Sequence, residues 1–187
     1  MAISQSSQLT RLSRRAFLGG CLSVGGMLVT SPLMAGLVRD NQRTLSFRHT
    51  HTGEKQKITY WRDGHYLSQE LQRLNHLLRD HRTGEVATMD TGLLDLLYAL
   101  QLKVDMRGEY EIISAYRSPK TNQMLRSKSN GVAKKSFHMQ GKAIDVRLCD
   151  CDLKHLRDSA VALKAGGVGF YPKSGFLHLD TGRVRRW

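Results

Sequence analysis

The sequence predicts an α+β fold: one mostly antiparallel sheet with helices on one face and a polar, open face opposite. Three features lead there. β-Prone runs bounded by turn residues occur in both halves of the chain, and leucine-rich segments at helical spacing lie between them. In the last strand-like runs, ionisable residues alternate with apolar ones, so one side of each strand is dry and the other carries chemistry. With 187 residues, 40% of them hydrophobic, the chain has material for one core and little for a second.

Residues 1–35 read as a twin-arginine export signal and 36–187 as a single domain. Ser13-Arg14-Arg15-Ala16-Phe17-Leu18 precedes a weakly apolar run from Gly19 to Met34, and no acidic residue occurs before Asp40. Gly19, Gly20, Ser23, Gly25, Gly26 and Ser31 interrupt that run, which falls short of the ~20 strongly apolar residues of a spanning helix. Cleavage near Met34-Ala35 is therefore expected, with no stable membrane insertion afterwards. Gly20-Cys21 follows the arginines too closely to be a lipid attachment site.

In the expected domain, Thr44 to His49 and Lys57 to Arg62 form a hairpin about the turn His51-Thr-Gly-Glu54. Ser68 caps a helix whose buried stripe is Leu71, Leu74, Leu77 and Leu78. Asp90 or Thr91 starts another, with Leu93, Leu94, Leu97 and Leu100 facing the core. Tyr110 to Tyr116, Lys142 to Arg147, Gly167 to Tyr171 and Phe176 to Asp180 read as strands. Ser118 caps a helix with Pro119 in its first position, where a missing N–H does no harm. Asp152 caps the last helix, which buries Leu153, Leu156, Ala160 and Leu163, and Pro172-Lys-Ser-Gly175 turns the closing hairpin. His49 and His51 lack a third ligand in register and read as a strand end and turn; His65, His76 and His81 read as surface or helix-flank residues. Cys149 and Cys151, two positions apart, could close a disulfide only with strain and read as thiols without a catalytic role.

The formal charge of +13 loses three cations, Arg11, Arg14 and Arg15, and no anion with the signal, becoming +10. Such a charge in a cytosolic chain points to nucleic acid. An exported chain meets anionic lipid surfaces and the carboxylate-rich cell wall instead, so the expectation is a periplasmic monomer acting on the wall, with no nucleic-acid partner.

His138, Asp145 and His178 supply two imidazoles and a carboxylate from separated segments, the protein ligands of an open catalytic zinc site whose fourth position belongs to water. Ile144 and Val146 turn toward the helices, which directs Asp145 to the open face; Leu177 and Leu179 do the same for His178 and Asp180. Gly141 permits a tight turn between His138 and Asp145.

Ser136-x-His138-x-x-Gly141-x-Ala143-x-Asp145 resembles the zinc signature of the D-alanyl-D-alanine metallopeptidases of the VanX and VanY type. Within that group, the twin arginines, Leu74-Asn-His76, Ser114-Ala-Tyr-Arg117-Ser118, Gly166-Gly-Val-Gly-Phe-Tyr171 and Arg186-Trp187 resemble the exported YcbK-type murein endopeptidases. The resemblance implies a hedgehog or D-Ala-D-Ala peptidase-like fold with zinc on the open face. It also implies hydrolysis of peptidoglycan cross-link peptides, including diaminopimelate-diaminopimelate bonds, during wall growth. It assigns Arg117 to the developing oxyanion or a substrate carboxylate, with a structural ion pair as the other reading, and gives Ser136 to substrate binding.

Related peptidases carry a His two residues, or a Glu three residues, before the last zinc-binding His, where this chain has Phe176 and Gly175. Neither takes a proton. Asp180 is the nearest carboxylate, either as general base or as a partner orienting His178, and His155 is a remote third. The competing functions are a D,D-carboxypeptidase acting on stem peptides and a non-catalytic, zinc-containing wall-binding module.

Overall fold

The computed structural model describes residues 40–129 and 131–187. The expected signal, with its arginines and Cys21, lies outside the described residues. A mixed α+β unit is built around one eight-stranded sheet of order β3-β2-β1-β4-β5-β7-β6-β8. The strands are β1 (Gln42–His49), β2 (Lys55–Arg62), β3 (His65–Tyr66), β4 (Glu109–Ser114), β5 (Ala143–Leu148), β6 (Gly167–Tyr171), β7 (Phe176–Asp180) and β8 (Arg185–Arg186). Pairing is antiparallel except for β1 with β4 and β6 with β8. The four α-helices among the described residues are α1 (Ser68–Leu77), α2 (Thr91–Lys103), α3 (Pro119–Lys128) and α4 (Leu153–Leu163). A parallel neighbour cannot be reached by a tight turn; α1, α2 and their loops carry the chain from β1's end of the sheet to β4.

Alternation produces the dry face as expected. Leu45, Phe47, Ile58, Tyr60, Ile112, Ile144, Val146, Leu177 and Leu179 are fully buried in one apolar cluster with Leu74, Leu77, Leu93, Leu97 and Leu156 from the helices. Helix α2 buries Leu96, Tyr98 and Ala99 besides its expected stripe, because α4 packs on it as well as the sheet. Asp95 on that helix accepts hydrogen bonds from Arg43 (2.8 Å), Tyr60 (2.9 Å) and Tyr66 (2.6 Å), tying α2 to the first three strands.

Several expected boundaries move. Ser68 is the first helical residue, and Leu67 stands at the N-cap with no side-chain hydrogen bond. Asp90, Ser118 and Asp152 do cap, accepting from the N–H groups of Gly92, Thr121 and His155. Strand β4 ends at Ser114 rather than Tyr116, since its register against β5 shifts between Ile112 and Ser114. Helices on one face describes α1, α2 and α4 only: α3 contributes nothing to the apolar cluster.

Candidate metal centre

His178 lies directly opposite Asp145 on the neighbouring strand, and opposite Gly169 on its other side. Both side chains leave the sheet on the face away from the helices, since their strand neighbours are in the core. Cross-strand partners have Cβ atoms about 4.5–5.5 Å apart, so this register alone brings imidazole and carboxylate together; His178 Nδ1 is 2.8 Å from Asp145 Oδ1. His138 arrives on a short 3₁₀ helix, Phe137–Gln140, which Ser136 caps by accepting the His138 N–H and which Gly141 ends in the left-handed region at φ 67°. A Cβ on Gly141 would lie 2.3 Å from the Thr88 carbonyl oxygen, so only glycine makes this turn. His138 Nε2 ends 3.3 Å from Asp145 Oδ1 and 3.2 Å from His178 Nδ1.

The outer hydrogen bonds orient both rings. His138 Nδ1 is 2.7 Å from the carbonyl oxygen of Ala115, a pure acceptor, so Nδ1 carries the proton and Nε2 presents a lone pair inward. His178 Nε2 lies 3.1 Å from Asp180 Oδ2 and Nδ1 2.8 Å from Asp145 Oδ1; with Nε2 donating to Asp180, Nδ1 is the nitrogen that would turn a lone pair to a bound cation. One possible ligand atom from each of His138, Asp145 and His178 therefore lies within 4.8 Å of the other two. That donor set fits a divalent cation taking nitrogen and carboxylate ligands. Among the described residues no other group of His, Cys, Asp and Glu converges in this way.

Electrostatics follow the same geometry. Burial pushes the Asp145 carboxyl up, but His138 and His178 outweigh it and hold it well below the usual carboxylate range. Burial pulls His178 down, and hydrogen bonds to Asp145 and Asp180 more than reverse this. Asp180 is fully buried. It accepts from Arg185 (2.9 and 2.6 Å), from the Gly182 and Gly167 N–H groups (2.8 and 3.3 Å) and from His178. Burial raises its pKa, and His178, Arg185 and the Gly182 N–H bring it below the ordinary value.

A cleft of about 520 Å³ opens over the three ligands. Arg117 and Ser136 line it. Arg117 approaches Asp145 at 3.9 Å and Asn122 at 3.5 Å, and its Nε is buried with no hydrogen-bond partner. Burial lowers the Arg117 pKa against the opposing pull of Asp145. His155 is exposed at the start of α4 and does not line the cleft. Cys149 and Cys151 are free and partly exposed at the end of β5.

Periodicity does not reveal the remaining wall. Trp187 pairs its backbone with Val168 and Phe170, donates from Nε1 to the Tyr171 hydroxyl at 2.8 Å, and sets its ring 5.4 Å from that of His178. Tyr171 stacks on Phe176 at 4.8 Å, and the Arg185 guanidinium, anchored by Asp180, lies over Trp187 and Phe137. An Arg and a Trp that no core stripe explains were the only available signal. His81, read as a surface or helix-flank residue, lies just after α1 and also stacks on His51 at 4.1 Å and meets His49 edge-on, making three packed imidazoles away from the cleft.

The family described as Peptidoglycan L,D-endopeptidase MepK matches residues 38–187, which include all of the described residues. The chain is 40% identical to Peptidoglycan L,D-endopeptidase MepK of Escherichia coli K12, over 94% of this chain and 97% of that protein. The Shigella flexneri protein of the same name matches equally. A probable peptidoglycan L,D-endopeptidase MepK of Haemophilus influenzae is 40% identical over 91% of each chain. No solved structure matches significantly. The chain belongs to the Peptidoglycan L,D-endopeptidase MepK family.

Proposed function

We propose that this family member is an exported, zinc-dependent murein endopeptidase that hydrolyses peptide cross-links of peptidoglycan, bonds between two diaminopimelate residues included. The observation that carries the reading is the convergence of three possible ligand atoms, from His138, Asp145 and His178, in an open cleft. Zinc held there would supply Lewis-acid polarisation of the scissile carbonyl and a water with pKa near ~7. His138 and His178 serve as neutral ligands and Asp145 as the anionic one. Arg117, which lines the cleft, binds a substrate carboxylate or the developing oxyanion. Ser136 has a capping role already and reaches substrate only as part of the lining.

Among the lining residues the only carboxylate is Asp145 and the only imidazoles are His138 and His178. Asp180, buried behind His178, therefore takes the orienting role rather than that of general base. Residues 1–35 act as a twin-arginine signal delivering the domain to the periplasm. Arg14→Lys with Arg15→Lys should leave precursor in the cytoplasm, and an unchanged periplasmic yield would point to the general secretory route. The decisive test is digestion of purified sacculi with chromatographic separation of the muropeptides. Loss of cross-linked dimers to the wild type but not to His138→Ala is expected. Shortened stem peptides with intact dimers would mark a carboxypeptidase, and an unaltered profile a binding module.

A further inference from the structure

Helix α3 has no part in holding the fold together. It buries only Thr121 and Asn122 of its ten residues, both polar, and none of its side chains joins the apolar cluster. A helix polar nearly all round is not kept in place by core burial. Polar links do that here: Asp80 accepts the Ser118 N–H at 2.9 Å, Ser118 caps the helix, and Asn122 donates to the Ala133 carbonyl at 3.1 Å, gathering in the following loop. The residues flanking the helix, Arg117 and Ser129, both line the cleft. The element is thus held rigidly at the rim of the metal centre.

Its charge is one-sided. Between Glu111 and Asp145 the chain holds seven Lys and Arg residues and no acidic one. Several cations elsewhere are paired, Arg43 with Asp95, Arg48 with Glu109 and Glu111, Arg157 with Asp158 and Arg185 with Asp180, and the exposed ones that are not, such as Lys57, Arg62, Lys103 and Lys154, are scattered over different elements. Lys120, Arg126, Lys128 and Lys134 are exposed and form no ion pair among the described residues. Like charges left uncompensated on one rigid element repel one another, and a polyanion relieves that repulsion.

We infer that Lys120, Arg126 and Lys128 on and at the end of α3, with Lys134 in the following loop, form a cationic docking surface for the carboxylate-bearing peptidoglycan polymer, beside the cleft and not among its lining residues. This rests on the wall-directed reading above for the partner, but not on catalysis. Long-range attraction between the surface and a polymer of regularly spaced carboxylates would hold the enzyme on the wall while the cleft samples cross-links, and it would be screened over a Debye length of ~10 Å at 0.1 M salt.

The test is co-sedimentation of the full-length, zinc-loaded chain with intact sacculi on ice across a salt series. Lys120→Gln/Arg126→Gln/Lys128→Gln/Lys134→Gln is compared with Lys57→Gln/Arg62→Gln/Lys103→Gln/Lys154→Gln, which removes the same charge from exposed positions elsewhere. Thermal unfolding and zinc content check that both variants are folded. The inference expects the first variant to bind about tenfold or more weaker at low salt, converging on wild type as salt rises, while the second binds like wild type. Equal losses in both variants would reduce the effect to net charge and overturn it, as would no loss in either. Loss of binding to phosphatidylglycerol vesicles but not to sacculi would assign the surface to a membrane and also overturn it. Because sedimentation needs no turnover, wild-type protein that binds through α3 yet leaves cross-links intact would refute the peptidase reading alone.

Discussion

Asp180→Asn separates a carboxylate that orients a ligand from one that takes a proton. The native carboxylate has no exposed surface and answers the Arg185 guanidinium, two backbone N–H groups and His178 Nε2. An amide has one acceptor oxygen and an NH₂ group. With the oxygen kept toward Arg185 and Gly182, the NH₂ faces His178 Nε2, two donors meet, and the imidazole must change tautomer or rotate. Either change spoils the inward lone pair on Nδ1. Loss of such an outer partner weakens zinc binding by about 10 to 100-fold, or roughly 1.4–2.8 kcal/mol. Metal-free protein should also melt lower. Unpairing a buried ion pair costs about 3–5 kcal/mol, with the lower value apt because Arg185 can rehydrate, and ~3 kcal/mol in a domain of this size is about 6–12 °C. The assay titrates zinc against a chromogenic chelator and follows cleavage of purified muropeptide dimers at each zinc level. Turnover should return close to wild type once zinc saturates. Zinc affinity left intact, with turnover still down by about two to four orders of magnitude at saturation, would make Asp180 the base and refute the reasoning.

Metal analysis of wild type should find about one zinc per chain, and His138→Ala with Asp145→Ala should abolish it; stoichiometric zinc in the double variant would sink the ligand assignment. Gly169→Ala would put a methyl 2.7 Å from the Trp187 ring, so in a Trp61→Phe background the emission spectrum should shift and KM for dimers should rise; unchanged emission would mean the indole is not seated on β6. The three packed imidazoles make stability pH-dependent. Burial, then Arg82 and the other two rings, push His81 down to about 4, and burial and His51 lower His49 from its ordinary 6.5. Folded protein then binds fewer protons than the unfolded chain between pH 6.5 and 4, so stability falls as pH falls through that window. His81→Phe keeps a ring against His51 without titrating and should flatten the dependence of melting temperature on pH; an unchanged slope would remove His81 from the account.

What the sequence reveals here is what extended chain and helical pitch encode locally. Ile144-Asp145-Val146 and Leu177-His178-Leu179 each state which side of a strand is dry, so the shared face of Asp145 and His178 is legible without coordinates. Asp90, Ser118 and Asp152 announce their helices because a cap needs only the next turn. Periodicity reads a single buried face, however, and so understates α2, which is covered by both sheet and α4. Sheet order is not local at all: the parallel pairing of β1 with β4 depends on a crossover of some sixty residues, and His81 reaches His51 from a loop on that crossover.

Asp180 shows that a local reading places a face without deciding between two roles. Alternation places it on the same side of β7 as His178, where an open face would leave it accessible to substrate. The face is closed at that point by β8, only two residues long, which pairs parallel with β6 and delivers Arg185 to the carboxylate and Trp187 over the cleft. No period can be read from two residues. The same short strand bears on Phe176, one of the positions where related peptidases carry a base: Phe176 stacks on Tyr171, and Tyr171 accepts the Trp187 indole N–H. The β6–β7 hairpin thus carries an aromatic wall at Phe176 and Tyr171, and β8 completes that wall while Arg185 covers Asp180 behind His178.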